Sequence, residues 1–121
     1  MENTIGQTIQ ITIGDNILTA TMYNNASASD FLSLLPLSLT LSDYEGMEKV
    51  SILPRKLSTK DAPAGYKPSV GELTYYAPWG NPAIFYEGFA YANGLVRLGK
   101  INTDLQPLKA SGNVQVKIER I

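Results

Sequence analysis

Apolar side chains at every second residue, in short stretches broken by glycine, proline and asparagine, constrain this chain more than any other feature. Ile9, Ile11 and Ile13 alternate with Gln10 and Thr12, the period of a strand with one buried face and one wet face. Gly14-Asp15-Asn16 follows and residues 17–23 resume strand character, so the opening predicts a β-hairpin. Leu37, Leu39 and Leu41 alternate with Ser38, Thr40 and Ser42, and Val114, Val116 and Ile118 do the same with Gln115, Lys117 and Glu119. Further strands are expected at residues 50–53, 71–77, 83–86 and 94–101. Ala83-Ile84-Phe85-Tyr86 has no polar face, which predicts cover on both sides.

One segment breaks the alternation. Phe31, Leu32, Leu34 and Leu35 have helical spacing. Asn25 or Ser27 can cap the helix start, Asp30 falls in its first turns, and Pro36 ends it. A second, shorter helical turn is expected near Leu105 and Leu108. Residues 43–49 are polar, contain Gly46 and read as a loop, with Asp43, Glu45 and Glu48 on a solvated surface. Residues 55–69 hold Pro63, Gly65 and Pro68 and form a long connection, of the kind that wraps a fold or carries function. Seven or eight short strands and one short helix predict a mainly β sandwich or barrel, and closure into a barrel leaves no exposed edges. At 121 residues the expectation is one domain over 1–121.

The chain contains no cysteine and no histidine. That excludes disulfides, thiolate chemistry, Ser-His-Asp triads, histidine general bases and the usual zinc sites. The 11 acidic residues are scattered rather than spaced as a cation-binding loop, so neither a metal nor a cofactor is expected. A net charge of −1 without a basic stripe argues against a nucleic-acid partner and against a polybasic membrane anchor. No run approaches the ~18 apolar residues of a membrane helix. The opening Met1-Glu2-Asn3-Thr4-Ile5-Gly6 has neither the basic nor the apolar region of a secretory leader, so a soluble, cytoplasmic protein is expected. Nothing in the composition favours one oligomeric state.

The central segment Val70-Gly71-Glu72-Leu73-Thr74-Tyr75-Tyr76-Ala77-Pro78-Trp79-Gly80-Asn81-Pro82-Ala83-Ile84-Phe85-Tyr86 joins two strands through an unusual turn. With Gly94-Leu95-Val96-Arg97-Leu98-Gly99-Lys100-Ile101 and the hairpin-helix-strand order of residues 9–41, it resembles the cyclophilin-like fold, and in particular small bacterial cyclophilin-like proteins of uncharacterised function. The resemblance implies a closed barrel of about eight strands with one short capping helix. It also sets a comparison. Active cyclophilins place an arginine from a Phe-His-Arg strand beside an aromatic groove, followed by Gln-Gly-Gly-Asp. Here the corresponding stretches read Ile52-Leu53-Pro54-Arg55 and Ser69-Val70-Gly71-Glu72-Leu73. The histidine and glutamine are missing, so no catalytic residue is carried over.

The aromatic block supplies the candidate site. Tyr75, Tyr76, Trp79, Phe85 and Tyr86 can form an apolar groove with phenol and indole donors. Phe85 and one of the tyrosines are expected in the core, whereas Trp79, in a Pro-Trp-Gly-Asn turn, is harder to bury. Gly80 and Asn81 suit the turn, and Gly94 and Gly99 suit close approach of strands. The candidate ligand-binding residues are Arg55, Tyr76, Trp79, Asn81 and Tyr86. The function expected is a non-catalytic binding domain for a peptide or small molecule. The alternative is a divergent peptidyl-prolyl cis-trans isomerase in which the Arg55 guanidinium stabilises the twisted amide.

Overall fold

The alternation at the start of the chain forms as expected. In the computed structural model, which describes residues 7–44, 46–87, 90–109 and 112–121, β1 (Thr8–Ile13) and β2 (Asn16–Met22) pair as a hairpin with Ile13 opposite Asn16. Ile9, Ile11 and Ile13 of β1 and Leu18, Ala20 and Met22 of β2 are all buried. The opening Met1-Glu2-Asn3-Thr4-Ile5-Gly6 lies outside the described residues.

The helix follows as α1 (Ala26–Leu32). Of the two capping candidates, Asn25 takes the role: its side chain accepts from the Ala28 N–H at 2.8 Å. Ser27 is instead buried and donates its hydroxyl to the Ser58 carbonyl. Seven residues cannot hold a helix in water on propensity alone. Packing holds it, with Ala28 and Phe31 at 0% exposure, and a buried phenylalanine contributes about 1.5–3 kcal/mol. The helix ends earlier than the leucine spacing predicts. The N–H groups of Leu34 and Leu35 bond the carbonyls of Phe31 and Leu32, the tighter three-residue step that closes many helices. Leu34 and Leu35 therefore pack on the core from beyond the helix. Asp30 lies past the first turn and meets Arg55 instead of the helix dipole.

A second departure lies at residues 43–44 and 48–49, which pair as strands where a loop is expected. β3 (Leu37–Tyr44) runs on into β4 (Glu48–Val50), with Asp43 opposite Lys49 and Tyr44 opposite Glu48. The Gly46 N–H donates to Asp43 Oδ2 at 3.0 Å and the Met47 N–H to the Tyr44 carbonyl at 3.1 Å. Residues 51–53 consequently leave the sheet, although the Ser51 N–H still reaches the Pro82 carbonyl. The polarity of Lys49 hides this strand. Lys49 points inward at 0% exposure, and its ammonium donates to the Gly112 carbonyl at 2.9 Å and lies 3.5 Å from Asp43 Oδ1.

The remaining elements are β5 (Gly65–Tyr66), β6 (Glu72–Tyr76), β7 (Asn81–Phe85), β8 (Ala92–Asn93), β9 (Leu95–Ile101), a 3₁₀ turn (Gln106–Lys109) and β10 (Val114–Arg120). After the apolar run, Glu87-Gly88 reads in sequence as a turn, and Gly88 lies outside the described residues. Eight antiparallel strands close into a barrel in the order β1-β10-β3-β4-β7-β6-β9-β2, and β5 pairs with β8 apart from it. The mainly β closed barrel with one short helix is thus what the structure shows. No described helix is long and apolar enough to cross a membrane.

β9 carries a bulge that the simple alternation misses. Leu73 faces Gly99 and Thr74 faces Arg97, leaving Leu98 as the extra residue. Val96 and Leu98 enter the core on one parity and Ile101 enters on the other. Gly99 sits where the neighbouring strand comes closest: a Cβ there would lie 2.8 Å from Met22 Sδ and 2.9 Å from the Thr21 carbonyl oxygen. Inside, the barrel is filled by side chains from both halves of the chain, as expected for eight strands.

Candidate functional site

β6 and β7 send alternate residues to opposite sides of the wall. Leu73, Tyr75 and Ile84 fill the barrel. Their neighbours Ala83 and Phe85, with Leu95 of β9, make a second apolar cluster outside it, flanked by Val50, Tyr66, Tyr76 and Ala92. These outward residues are not wet: Ala83 is 1% exposed and Phe85 and Leu95 are each 2% exposed. This is the two-sided cover that the unbroken apolar run at residues 83–86 predicts.

A cleft of about 270 Å³ opens over this cluster. Ala83, Phe85, Leu95 and Glu48 form its buried floor, and Tyr44 and Trp79 are its exposed rim. Val50, Tyr76, Asn81 and Ala92 complete the lining. The turn after β6 positions the tryptophan. The Gly80 N–H bonds the Tyr76 carbonyl at 2.9 Å, and the Ala77 N–H bonds the Gly94 carbonyl at 2.9 Å. Gly94, at φ +82°, lets Pro78 sit on it; a Cβ would fall 2.6 Å from Pro78 Cδ. Trp79 then stands edge-on to Tyr76, ring centres 5.5 Å apart and planes at 81°.

Three of the five residues picked from the sequence meet here: Tyr76, Trp79 and Asn81. Tyr86 and Arg55 are not among the cleft-lining residues. The Tyr86 hydroxyl donates to Asp43 Oδ1. That bond pushes the phenol up to about 12 and, from the other side, holds the Asp43 carboxyl below its ordinary range. Arg55 forks onto Asp30, with Nη1 at 2.9 Å from Oδ2 and Nη2 at 2.8 Å from Oδ1, and Nη2 also donates to Ser33 Oγ at 3.0 Å. Asp30 accepts a further bond from the Ser58 N–H at 2.7 Å. The Arg55 bonds, then the Ser58 bond, hold the Asp30 carboxyl down to about 2. This knot ties α1 to the long connection, whose Leu57 is buried in the core, as is Leu53 just before it. The Leu57 N–H donates to the Tyr75 hydroxyl at 3.1 Å. Tyr75 is therefore the tyrosine that joins the core.

The sequence pattern does not reveal Tyr44, Glu48, Val50 or Leu95 as cleft residues. Glu48 is a correction: it is 8% exposed and lines the cleft floor, not a solvated surface. The signal available was parity, since Glu48 and Val50 flank the inward Lys49. Asp43 is held by Tyr86 and Lys49, and Glu45 lies outside the described residues.

A separate polar group braces β6 and β9. Glu72 accepts from the Ser69 N–H at 2.7 Å and from the Tyr23 hydroxyl at 3.1 Å. Arg97 stacks between the rings of Tyr66 and Tyr23, its guanidinium carbon 4.6 and 5.4 Å from their centres, with Nε 3.9 Å from Glu72. Burial, then the Glu72 charge, push the Tyr66 phenol far above its ordinary range. Among the described residues no group of three metal-ligating side chains could hold an ion.

A search of curated proteins finds no match. Among solved structures, a hypothetical protein of Archaeoglobus fulgidus, known from its solution structure, is similar with a TM-score of 0.75 and 14% identity, covering 98% of each chain. Likeness at that identity establishes the fold. The model of the cyclophilin-like family matches residues 11–119, from within β1 to within β10. With that match spanning every strand of the closed barrel, the chain belongs to the cyclophilin-like family.

Proposed function

We propose that this barrel is a binding domain whose ligand seat is the outer cleft between Tyr44, Tyr76 and Trp79. One observation carries this. The outer wall of β7 could be polar and solvated at no cost to the barrel, yet it presents Ala83 and Phe85 beneath a concave, aromatic-rimmed space. Concave apolar sites with a few convergent polar groups are the usual form of small-ligand pockets. At about 270 Å³ the cleft suits a small, largely apolar molecule or a single apolar side chain. Asn81 supplies a donor and an acceptor at its margin.

The cleft holds the exposed rim residue Trp79, the one tryptophan of the chain. Its emission therefore reports occupancy. A panel of small ring compounds and short apolar peptides should include members that saturably shift that emission. Ala83→Leu fills the cleft from its floor without entering the barrel, so it should abolish the shift while leaving the far-ultraviolet spectrum unchanged. Failure of every compound to shift emission or melting temperature would refute the proposal.

A further inference from the structure

Hydrogen bonding around the cleft singles out one side chain. Among the described residues two asparagines are half-buried, Asn25 and Asn81. Asn25 uses its amide within the fold, accepting from the Ala28 N–H and donating to the Arg97 carbonyl. The Asn81 side chain makes no hydrogen bond to any described residue. It stands on the same face of β7 as Ala83 and Phe85, two and four residues on, and lines the cleft with them. We infer that the cleft is a seat for a small, neutral, planar ring with a lactam edge, adjacent N–H and C=O groups that the Asn81 amide reads. The inference rests on the cleft being the ligand seat.

A carboxamide carries a donor and an acceptor side by side. One partner satisfies both when it offers an acceptor and a donor at the same spacing, as when asparagine reads the edge of adenine. A hydrocarbon ligand would strip water from the Asn81 amide and put nothing in its place, and a polar group left in that state costs affinity. A lone carbonyl would satisfy the donor alone. The walls of the cleft select for flatness. Tyr76, opposite Asn81 in the ladder, stands at 81° to Trp79. A flat ring can lie against the face of one and meet the other at its edge, the geometries that aromatic pairs prefer. Ala83, Phe85 and Leu95 keep the floor beneath it apolar. Charge finds no complement here. The lining holds no lysine or arginine, and Glu48, its one charged side chain among the described residues, has an interaction of its own.

The test compares molecules that share one ring system and differ at the lactam edge. Quinolin-2-one, its N-methyl derivative and quinoline are titrated into the full chain by calorimetry, with the Asn81 side-chain amide signals followed by NMR. Oligouridylate, which carries the same edge on a nucleic acid, is a further arm. Quinolin-2-one should bind about tenfold more tightly than either analogue, the order expected when a shielded polar group would otherwise go unpaired, and it should move the Asn81 signals. Asn81→Leu should erase the preference. Asn81→Ala, a smaller change, should do the same and decides the matter if the leucine variant does not fold. Equal binding of all three rings overturns the lactam assignment and leaves the apolar cleft standing. A preference that survives the substitutions overturns Asn81 as its reader. Binding of oligouridylate with none of free quinolin-2-one overturns the free small molecule as occupant. No binding of any ring overturns both this inference and the reading on which it rests.

Discussion

Asp30→Asn tests whether α1 is fastened to the barrel by charge. The carboxylate accepts from Arg55 at 2.8 and 2.9 Å and from the Ser58 N–H at 2.7 Å. Asparagine keeps one oxygen for Ser58 and loses the fork. A charge-assisted bond contributes about 1.5–3 kcal/mol when shielded, but here the Arg55 and Asp30 side chains are 46% and 23% exposed. Solvent screening lowers an exposed pair to about 0.2–1 kcal/mol. With Ser58 partly retained, the expected loss at neutral pH is about 1 kcal/mol, or roughly 3–6 °C in Tm for a chain of this length. The pH dependence makes the test specific. The folded carboxyl is held at about 2 against an ordinary 3.8. A depressed carboxyl stabilises the folded state fully above its ordinary value, and that contribution fades as pH falls toward the folded value. Urea denaturation followed by far-ultraviolet circular dichroism should therefore show wild type above the variant at pH 7 and 5. The two curves should draw together between about pH 4 and pH 2. Equal stability at pH 7, or a gap that persists undiminished at the lowest pH, would refute the fastening role.

Gly99→Ala should destabilise by about 1–3 kcal/mol, because the new methyl meets the backbone carbonyl of Thr21 at 2.9 Å as well as the movable Met22 side chain; a neutral result in urea melts would contradict the close strand approach. Phe31→Ala should cost about 3–5 kcal/mol, since the ring is at 0% exposure and anchors a helix too short to persist alone; a loss under about 1 kcal/mol would show that α1 is held otherwise. In Tyr86→Phe the Asp43 carboxyl should rise toward its ordinary range, because the phenol hydroxyl that chiefly holds it down is gone. Carboxyl NMR titration reads that directly, and an unmoved Asp43 would contradict the bond. In the wild type, one tyrosine should ionise only at about 12 by ultraviolet titration.

Strands whose outer face is wet were legible in the sequence. Ile9-Ile11-Ile13, Leu37-Leu39-Leu41 and Val114-Val116-Ile118 alternate because water on one side demands polar residues there. Alternation fails as a signal wherever that demand lapses. Lys49 looks like a loop residue because its ammonium is satisfied inside by the Gly112 carbonyl and Asp43. Leu98 is an extra residue in the ladder, so the two halves of β9 follow opposite parities. The same lapse divides the candidate site. Tyr76, Trp79 and Asn81 are close together in the chain, and an aromatic turn marks them. Tyr44, Glu48, Val50 and Leu95 come from other strands, and only the pairing of β3 with β4, β4 with β7 and β6 with β9 brings them beside the turn. Arg55 is singled out because Ile52-Leu53-Pro54-Arg55 corresponds to the Phe-His-Arg strand of active cyclophilins. Its partner Asp30 is 25 residues earlier in the chain, and nothing local announces the pair.

The closed barrel also determines where such a protein can hold a ligand. Eight strands enclose a space just wide enough for side chains. Here Phe31, Leu73, Tyr75, Ile84 and Leu98 occupy the core, and the Lys49 side chain is buried with them. A ligand must therefore sit against an outer wall, and an outer wall is apolar only where its strand is apolar on both faces. Alternating strands such as β1, β3 and β10 cannot provide that along their length, because their second faces are Gln, Ser, Thr, Lys and Glu, with only Tyr44 at the end of β3 reaching the cleft rim. β7 can, since Ile84 fills the barrel while Ala83 and Phe85 stay dry outside it. Its register then settles the rest: Phe85 opposite Glu48 places the carboxylate next to a floor ring, and Asn81 opposite Tyr76 puts the amide next to the wall. The one stretch of sequence without a polar face is thus the reason the cleft has a dry, apolar floor.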